Sequence, residues 1–293
     1  MAKAKSAPGK ATGSGAKELR TAPPNAESAI TTPAAEIEEL GGDPNFMTSL
    51  ARGLAVIRAF SQQRKRLSIA NISNKTGIPR AAVRRCLYTL ARLGYVTADE
   101  RDFSLNPKIL TLGHAYLSST PLSASAQPFL DRIANAVHES CSVAILDEDE
   151  ILYVARSATT SRIMSVDLSI GSRLPAYCTS MGRVMLAGLS PSQLGAYLSR
   201  VKLQPFTVHT VTSRDKLLQA LEKVRQDGYA IVDQELEIGL RSVAVPVKDI
   251  SGKVVAAMNI GAQASRVPVS EMKSKFLAHL ATAAAELGLL LSP

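Results

Sequence analysis

Residues 77–95 read GIPRAAVRRCLYTLARLGY, and this stretch decides the fold of the first half of the chain. Gly77 supplies the left-handed residue that ends a helix, and Pro79, with its fixed φ and missing N–H, suits the first turn of the next. Along that next helix Val83, Leu87 and Leu90 recur at helical spacing and form an apolar stripe. On a 100° wheel Ala81, Arg84, Arg85, Tyr88 and Arg92 fall on the opposite arc, with Arg80 at the exposed N-terminal end. A short helix capped by Ser68, with Ile69 and Ile72 turned inward, precedes the turn. Two helices joined by a sharp turn, the second studded with arginine, predict a helix-turn-helix.

Working outward, Leu50, Leu54 and Ile57 mark a first helix from Thr48 to Phe60, closed by the polar, basic residues 61–66. After Gly94, residues 95–97 and 103–105 read as two short strands around the charged tip at 98–102, a wing. Beyond Pro107, the stripe Ile109, Leu112 and Tyr116 predicts a connecting helix. The first 45 residues, rich in Ala, Pro, Gly, Ser and Thr, read as a disordered tail and a passive extension. The expected organisation is therefore a tail at 1–45, a winged helix-turn-helix domain at 46–106, a linker helix at 107–121 and a second domain at 122–293.

Charge supports this division. The whole chain carries 34 basic and 25 acidic residues, but residues 46–118 hold 12 and 3 of them, which accounts for the full net charge of +9. A compact basic domain is the footprint of a polyanion binder, and arginine, which dominates here, suits phosphate and base-edge contacts. A length of 293 residues fits about two domains. The three separated cysteines form neither a disulfide framework nor a zinc-ligand spacing. No apolar run approaches the roughly 20 residues that cross a bilayer, so the chain reads as a soluble cytoplasmic protein with no membrane partner.

The second half mixes both periodicities. A helix carries Phe129, Ile133 and Val137; strands are expected at 142–146, 151–155, 163–168, 229–233, 242–248 and 254–260; helices are expected at 180–188, 191–198, 214–226 and 270–291. Hairpin-paired strands with helices grouped around them predict an α+β, sensor-like fold.

The chemistry favours binding over catalysis. Arg80, Arg84 and Arg85 are candidates for reading bases or clamping phosphates, with Ser68, Ala81 and Tyr88 beside them and Arg101 at the wing tip. Arg101 is flanked by three acids, which favours a local ion pair. The four histidines show no ligand spacing, and neither a glycine-rich phosphate loop nor a nucleophile elbow is present. Cys178 is the one candidate nucleophile, though a partly buried thiol near a helix start is usually inert. The carboxylates Asp233, Glu235 and Glu237 read as a strand end with one polar pocket residue. Arg162, Arg173, Arg183 and Arg241 fall beside strand ends or the helix start at Ser180, where backbone amides favour an anion. An acidic metabolite is the implied ligand; the alternative is that these arginines pair with the domain's own acids.

The stretches SLARGLAVIRAF from Ser49, GIPRAAVRRCLYTLARLGY from Gly77, GSRLPAYCTSMGRVMLA from Gly171, GLRSVAVPV from Gly239 and VVAAMNIGA from Val254 resemble, in order, the IclR family of bacterial transcription regulators. The likeness covers residues 46–291 and is greatest to the branch that governs aromatic-acid catabolism through the β-ketoadipate pathway. It implies a winged helix-turn-helix domain, a linker helix and a GAF-like effector-binding domain, with no cofactor and no metal. The implied partners are double-stranded operator DNA, a small carboxylic acid effector with β-ketoadipate foremost, a second copy or a dimer of dimers, and RNA polymerase. By position, the family's effector pocket falls on Val166, Leu174, Ser180, Met181, Asp233, Leu240, Ser242, Asn259 and Gly261, to which Arg241 is added as a bidentate grip. The chain departs from the family pattern at Ala81-Ala82, where Ser-Thr is frequent, at Ser180-Met181, and at Arg183, where Lys is frequent. Rival expectations are an enzyme of aromatic-acid metabolism with an accessory DNA-binding segment, and an architectural DNA protein without a ligand.

Overall fold

The structure is a computed structural model, and it describes residues 32–61, 64–119, 121–157 and 168–291. Most of the tail, the strand expected at 163–168 except its last residue, and the candidates Arg162 and Val166 lie outside the described residues. The chain divides into two compact units, Met1–Ile109 and Leu110–Pro293.

In the first unit, α1 (Pro33–Glu39) falls where the sequence predicts an unstructured tail. Its Thr32 side chain caps the helix by accepting from the Ala35 N–H, Pro33 occupies the first turn, and Ile37 is buried in the unit's core. One buried isoleucine and a satisfied cap suffice to order a seven-residue helix against a larger body, and low-complexity composition conceals them. The helix α2 (Thr48–Arg58) buries Ala55 and Val56. Leu50 and Leu54, expected to face inward, are instead 58% and 51% exposed. The small residues let α2 lie close to its neighbours, so the larger leucines fall on the outer face.

A two-residue strand β1 (Leu67–Ser68) leads into α3 (Ile69–Thr76) and α4 (Arg80–Arg92). The wing is β2 (Val96–Asp99) and β3 (Asp102–Leu105), and β1 adds to its other edge in the order β1-β3-β2. Ile72, Ile78, Val83, Leu87 and Val96 are fully or almost fully buried where these elements meet.

The second unit opens with α5 (Leu110–Ser119) and α6 (Pro121–Val137). Its six-stranded sheet uses β4 (Ser140–Asp147), β5 (Glu150–Ser157), β6 (Arg173–Pro175), β7 (Ala230–Asp233), β8 (Leu240–Lys248) and β9 (Val254–Gln263). The order is β6-β5-β4-β9-β8-β7, and every neighbouring pair is antiparallel. The short edge strand β6 was not foreseen from the sequence. Helices α7 (Ser180–Ala187), α8 (Pro191–Arg200) and α9 (Arg214–Asp227) supply the apolar residues that cover one face, including Met181, Leu186, Tyr197 and Leu217. The other face packs on α6 and on the C-terminal helix, which runs from α10 (Val269–Glu271) through a π-turn at Met272–Phe276 into α11 (Leu277–Gly288). Both faces are thus buried, and successive residues of β8 and β9 alternate between two cores.

Candidate functional site

The first site is the outer face of α4. Gly77 ends α3 at φ +74, and its N–H bonds to the Ser73 carbonyl, so the chain reverses within residues 77–79. Val83, Leu87 and Leu90 bury the inner face of α4. Arg80, Ala81, Arg84, Arg85, Tyr88 and Arg92 are all exposed, as the wheel requires. Arg92 stacks over the Tyr88 ring at 5.6 Å and donates from Nε to its hydroxyl at 3.2 Å. That contact orders Tyr88 and leaves the forks of Arg80, Arg84 and Arg85 with no salt-bridge partner among the described residues. Ser68 is committed to its helix: its hydroxyl accepts from the Asn71 N–H at 3.2 Å and donates to Asn71 Oδ1 at 2.6 Å. Arg101 sits exposed at the wing tip; among the described residues the ion pair expected with its flanking acids is absent, and one of those acids, Asp99, pairs with Arg66.

The second site is on the sheet face beneath α7. Here β4, β8 and β9 set the geometry by register: Arg156 of β5 lies opposite Ser142, Ser142 opposite Asn259, and Asn259 opposite Ala244. In the next row Ser140 lies opposite Gly261, Gly261 opposite Ser242, and Ser242 opposite Val232. Residues directly opposite in a ladder share a face, and Ala244 and Ala257 place this face in the core formed with α7. A Cβ on Gly261 would meet nothing within 4 Å, so open space lies above that row.

The helix over this face is fixed by sequence. Thr179 caps α7 by accepting from the Gly182 N–H, and a Cβ at Gly182 would come within 2.1 Å of the Ala176 carbonyl oxygen. Only glycine lets the first turn of α7 lie against residues 176–178, and this buries Ser180 and Met181 to 1% exposure. Leu174, on β6, is half-buried against the same core.

Three polar atoms of these residues are buried without a hydrogen-bond partner among the described residues: Arg156 Nε, Ser180 Oγ and Asn259 Oδ1. Arg156 donates from Nη1 to Ser142 Oγ at 3.0 Å, which orients the guanidinium and leaves its Nε edge unpaired. An unsatisfied buried donor costs free energy, and a guanidinium edge matches a carboxylate bidentately.

The structure therefore brings together Ser180, Met181, Leu240, Ser242, Asn259 and Gly261, but not Asp233 and Arg241. Those two pair across β7 and β8, with Arg241 Nε and Nη2 donating to Asp233 Oδ1 and Oδ2 at 2.9 and 2.8 Å. Arg241 Nη1 donates to the Val267 carbonyl at 2.6 Å, in the core on the α11 side. Strand alternation turns Arg241 away from Ser242, and its fork is fully occupied. The Arg241 hydrogen bonds hold the Asp233 carboxyl below the usual range.

Other arginines expected to bind an anion are likewise committed. Arg173 pairs with Glu150 at 2.6 Å and Asp147 at 2.5 Å. Arg183, buried, pairs with Glu235 at 2.7 Å and donates to the Tyr177 carbonyl at 3.0 Å. The same Glu235 carboxylate accepts from the Val211 N–H at 3.0 Å. Burial pushes the Cys178 thiol up to about 12, so it is no nucleophile at neutral pH. Sequence reasoning missed Arg156 and Ser142, because no anion-binding motif surrounds them; the register of the β4–β5 hairpin was the one available signal.

Comparison with known proteins follows this division of the chain. The IclR helix-turn-helix domain matches residues 49–100, and the bacterial transcriptional regulator IclR C-terminal domain matches residues 114–288. The chain belongs to the IclR family. It is 55% identical to the Pca regulon regulatory protein of Pseudomonas putida over 258 residues, 88% of this chain and 89% of that one. Among solved structures, a transcriptional regulator from Rhodococcus sp. RHA1 is 47% identical with a TM-score of 0.75, covering 84% of this chain and 98% of that one. A complex of 3-hydroxybenzoic acid with a double mutant of the PobR inducer-binding domain from Acinetobacter is 32% identical with a TM-score of 0.53, covering 57% of this chain and 97% of that one. These relatives are IclR-family regulators of transcription, which decides against the enzyme reading. Among the described residues no helix is long and apolar enough to cross a membrane.

Proposed function

We propose that this IclR-family regulator controls genes of aromatic-acid catabolism and responds to a small carboxylic acid bound between α7 and the sheet. The observation that carries the reading is the unpaired Arg156 Nε edge, held by Ser142 on the same face as the unpaired Ser180 Oγ and Asn259 Oδ1. Buried polar groups left without partners mark the place where a ligand completes the hydrogen bonding. The Pca regulon relative supports the gene set, and the hydroxybenzoic acid complex supports the ligand class.

β-Ketoadipate is the effector proposed. Its two carboxylates require two compensating sites: Arg156 takes one, and the free amides at the start of α7 with Ser180 Oγ take the other. Met181, Leu174, Leu240 and Ser242 line the space between, with Asn259 and Gly261 on the floor. In the first unit, Arg80, Arg84 and Arg85 contact the major groove and its phosphates, with Ala81 and Tyr88 between them, Ser68 behind and Arg101 at the wing. The working form is a cytoplasmic homodimer or dimer of dimers, joined through the exposed Leu112 of α5 with its neighbours, and it engages RNA polymerase at the promoter. The test is footprinting of the operator with and without β-ketoadipate and hydroxybenzoates. A footprint altered by the dicarboxylate alone is expected; one that no carboxylic acid alters refutes the effector reading.

A further inference from the structure

We propose that Tyr88 and Arg92 together form a phosphate clamp, which grips the DNA backbone at the wall of the major groove and so fixes the register of α4 on its half-site. The inference rests on α4 being the DNA-facing helix. It deepens that reading by adding a site for one phosphodiester group, built on Arg92 at the end of the helix away from the base-reading arginines.

Three observations carry it. First, the Arg92 guanidinium lies 5.6 Å from the centre of the Tyr88 ring, and its Nε donates to the Tyr88 hydroxyl oxygen at 3.2 Å. The hydroxyl is the acceptor in that bond, so its own hydrogen is left to donate, and the Nη edge of Arg92 takes no part. An O–H and a guanidinium edge thus stand side by side, a set of donors that suits the two free oxygens of a phosphodiester. Second, both side chains are exposed, Tyr88 to 63%, and no acid claims them. The three acids of residues 46–118 are Asp99, Glu100 and Asp102, all at the wing tip, and those of α1 and the loop after it, Glu36, Glu38, Glu39 and Asp43, form no ion pair with α4 among the described residues. Third, Ala81, Arg85, Tyr88 and Arg92 follow one another at spacings of four, three and four, which is one line along α4. Arg92 lies about 10 Å further along the axis than Arg85, and the major groove is about 12 Å wide. A helix whose first turns meet base edges therefore carries Tyr88 and Arg92 out to the groove wall, where the phosphates stand.

The pairing itself suits the task. A long side chain loses rotamer freedom when it grips a ligand, and stacking on Tyr88 orders the Arg92 guanidinium in advance. A phosphate contact carries no sequence information of its own, but it sets which bases the forks of Arg84 and Arg85 can reach. A cation in the last turn also suits the helix dipole; that role alone would leave DNA binding unmoved when Arg92 is replaced.

The experiment titrates the full protein against operator and random-sequence duplexes over a range of salt, comparing the parent with Arg92→Gln, Arg92→Lys and Tyr88→Phe, with melting curves alongside. Arg92→Gln is expected to lower the steepness of log affinity against log salt by about 1 and to weaken both duplexes by one common factor, about tenfold at low salt, so that the ratio of operator to random binding holds. Arg92→Lys should restore the slope, since the charge stays. Tyr88→Phe keeps the stacked ring and loses the hydroxyl; binding about fivefold weaker on both duplexes, with the slope unchanged, is expected. Ethylation interference should lose the same single phosphate per half-site in Arg92→Gln and in Tyr88→Phe. Unchanged slope and affinity in a folded Arg92→Gln protein overturn the clamp and leave the pair a surface contact of the helix. Weakening on the operator alone overturns it too, because Arg92 would then read a base. Arg84→Ala/Arg85→Ala keeps the two readings apart: if that variant loses the operator while the Arg92 and Tyr88 variants bind normally, only the clamp fails; if it also binds normally, α4 as the DNA-facing helix fails with it.

Discussion

Arginine is used in opposite ways by the two units. In the first, Arg80, Arg84, Arg85 and Arg101 have no acidic partner among the described residues, and Arg66, paired with Asp99, is the exception. In the second, Arg173, Arg183, Arg200, Arg241 and Arg266 are each bound to a carboxylate of their own unit; among the described residues Arg156 and the exposed Arg214 are the exceptions. The first unit has four times as many basic as acidic residues across 46–118, so its surface cannot neutralise itself and awaits an outside polyanion. The second has almost equal numbers, 17 basic and 16 acidic across 119–293, and spends its guanidinium groups on holding strands and loops. The lesson is that residue type does not mark a ligand site. A buried guanidinium edge without a partner does.

The contrast can be broken experimentally. The largest effect is expected from Arg84→Ala/Arg85→Ala, which should weaken operator binding by about a hundredfold or more, since each bidentate contact is worth about 1–3 kcal/mol, while the melting temperature stays near that of the parent. Anisotropy titration paired with thermal melting checks both halves of the statement. Next comes Glu235→Ala. It strands the buried Arg183 and should cost on the order of 3 kcal/mol in denaturant unfolding, because Arg183 and Glu235 tie α7 to the segment at Val211. An unchanged midpoint would contradict a structural role for that pair.

A smaller effect is expected from Asp233→Asn, which keeps shape and removes charge. The Asp233 pKa is lowered in the folded protein, so its contribution is complete above the ordinary carboxylate range near pH 4 and fades as pH falls through the lower folded value. The melting-temperature gap between parent and variant should be constant from pH 5 to 7 and close under stronger acid, at about pH 3 and below; a gap that widens on acidification has the wrong sign. Least of all, Cys178→Ser should leave operator binding unchanged, and the parent thiol, pushed up to about 12, should resist alkylation in the folded protein at neutral pH.

What was legible in the sequence follows physical range. The wheel of α4 is a local property, fixed by 3.6-residue periodicity and by Gly77 and Pro79, and it placed every exposed arginine correctly. The strands β4, β5, β7, β8 and β9 were visible as alternating or apolar runs bounded by turns. The two faces of the sheet were not, since they depend on which strand lies beside which. Strand parity requires Arg241 and Ser242 to face opposite sides, and the structure gives Arg241 to Asp233. Arg156 needed the β4–β5 register, a tertiary fact, to be seen next to Ser142. The helix α1 was hidden for a different reason: a single buried side chain, Ile37, holds it, and no periodic pattern of that length rises above its Ala- and Pro-rich surroundings.

The central claim is that the unpaired arginine of the sheet, not the paired one, receives the effector. Calorimetry of β-ketoadipate binding to the parent, Arg156→Ala and Arg241→Ala proteins tests it most directly, with melting curves run alongside. The account predicts that Arg156→Ala lowers affinity about thirtyfold or more, as loss of a charge-assisted pair worth about 2 kcal/mol or more requires, and that Arg241→Ala lowers the melting temperature while binding the acid as the parent does. Binding that survives Arg156→Ala and is lost in a folded Arg241→Ala protein would contradict it.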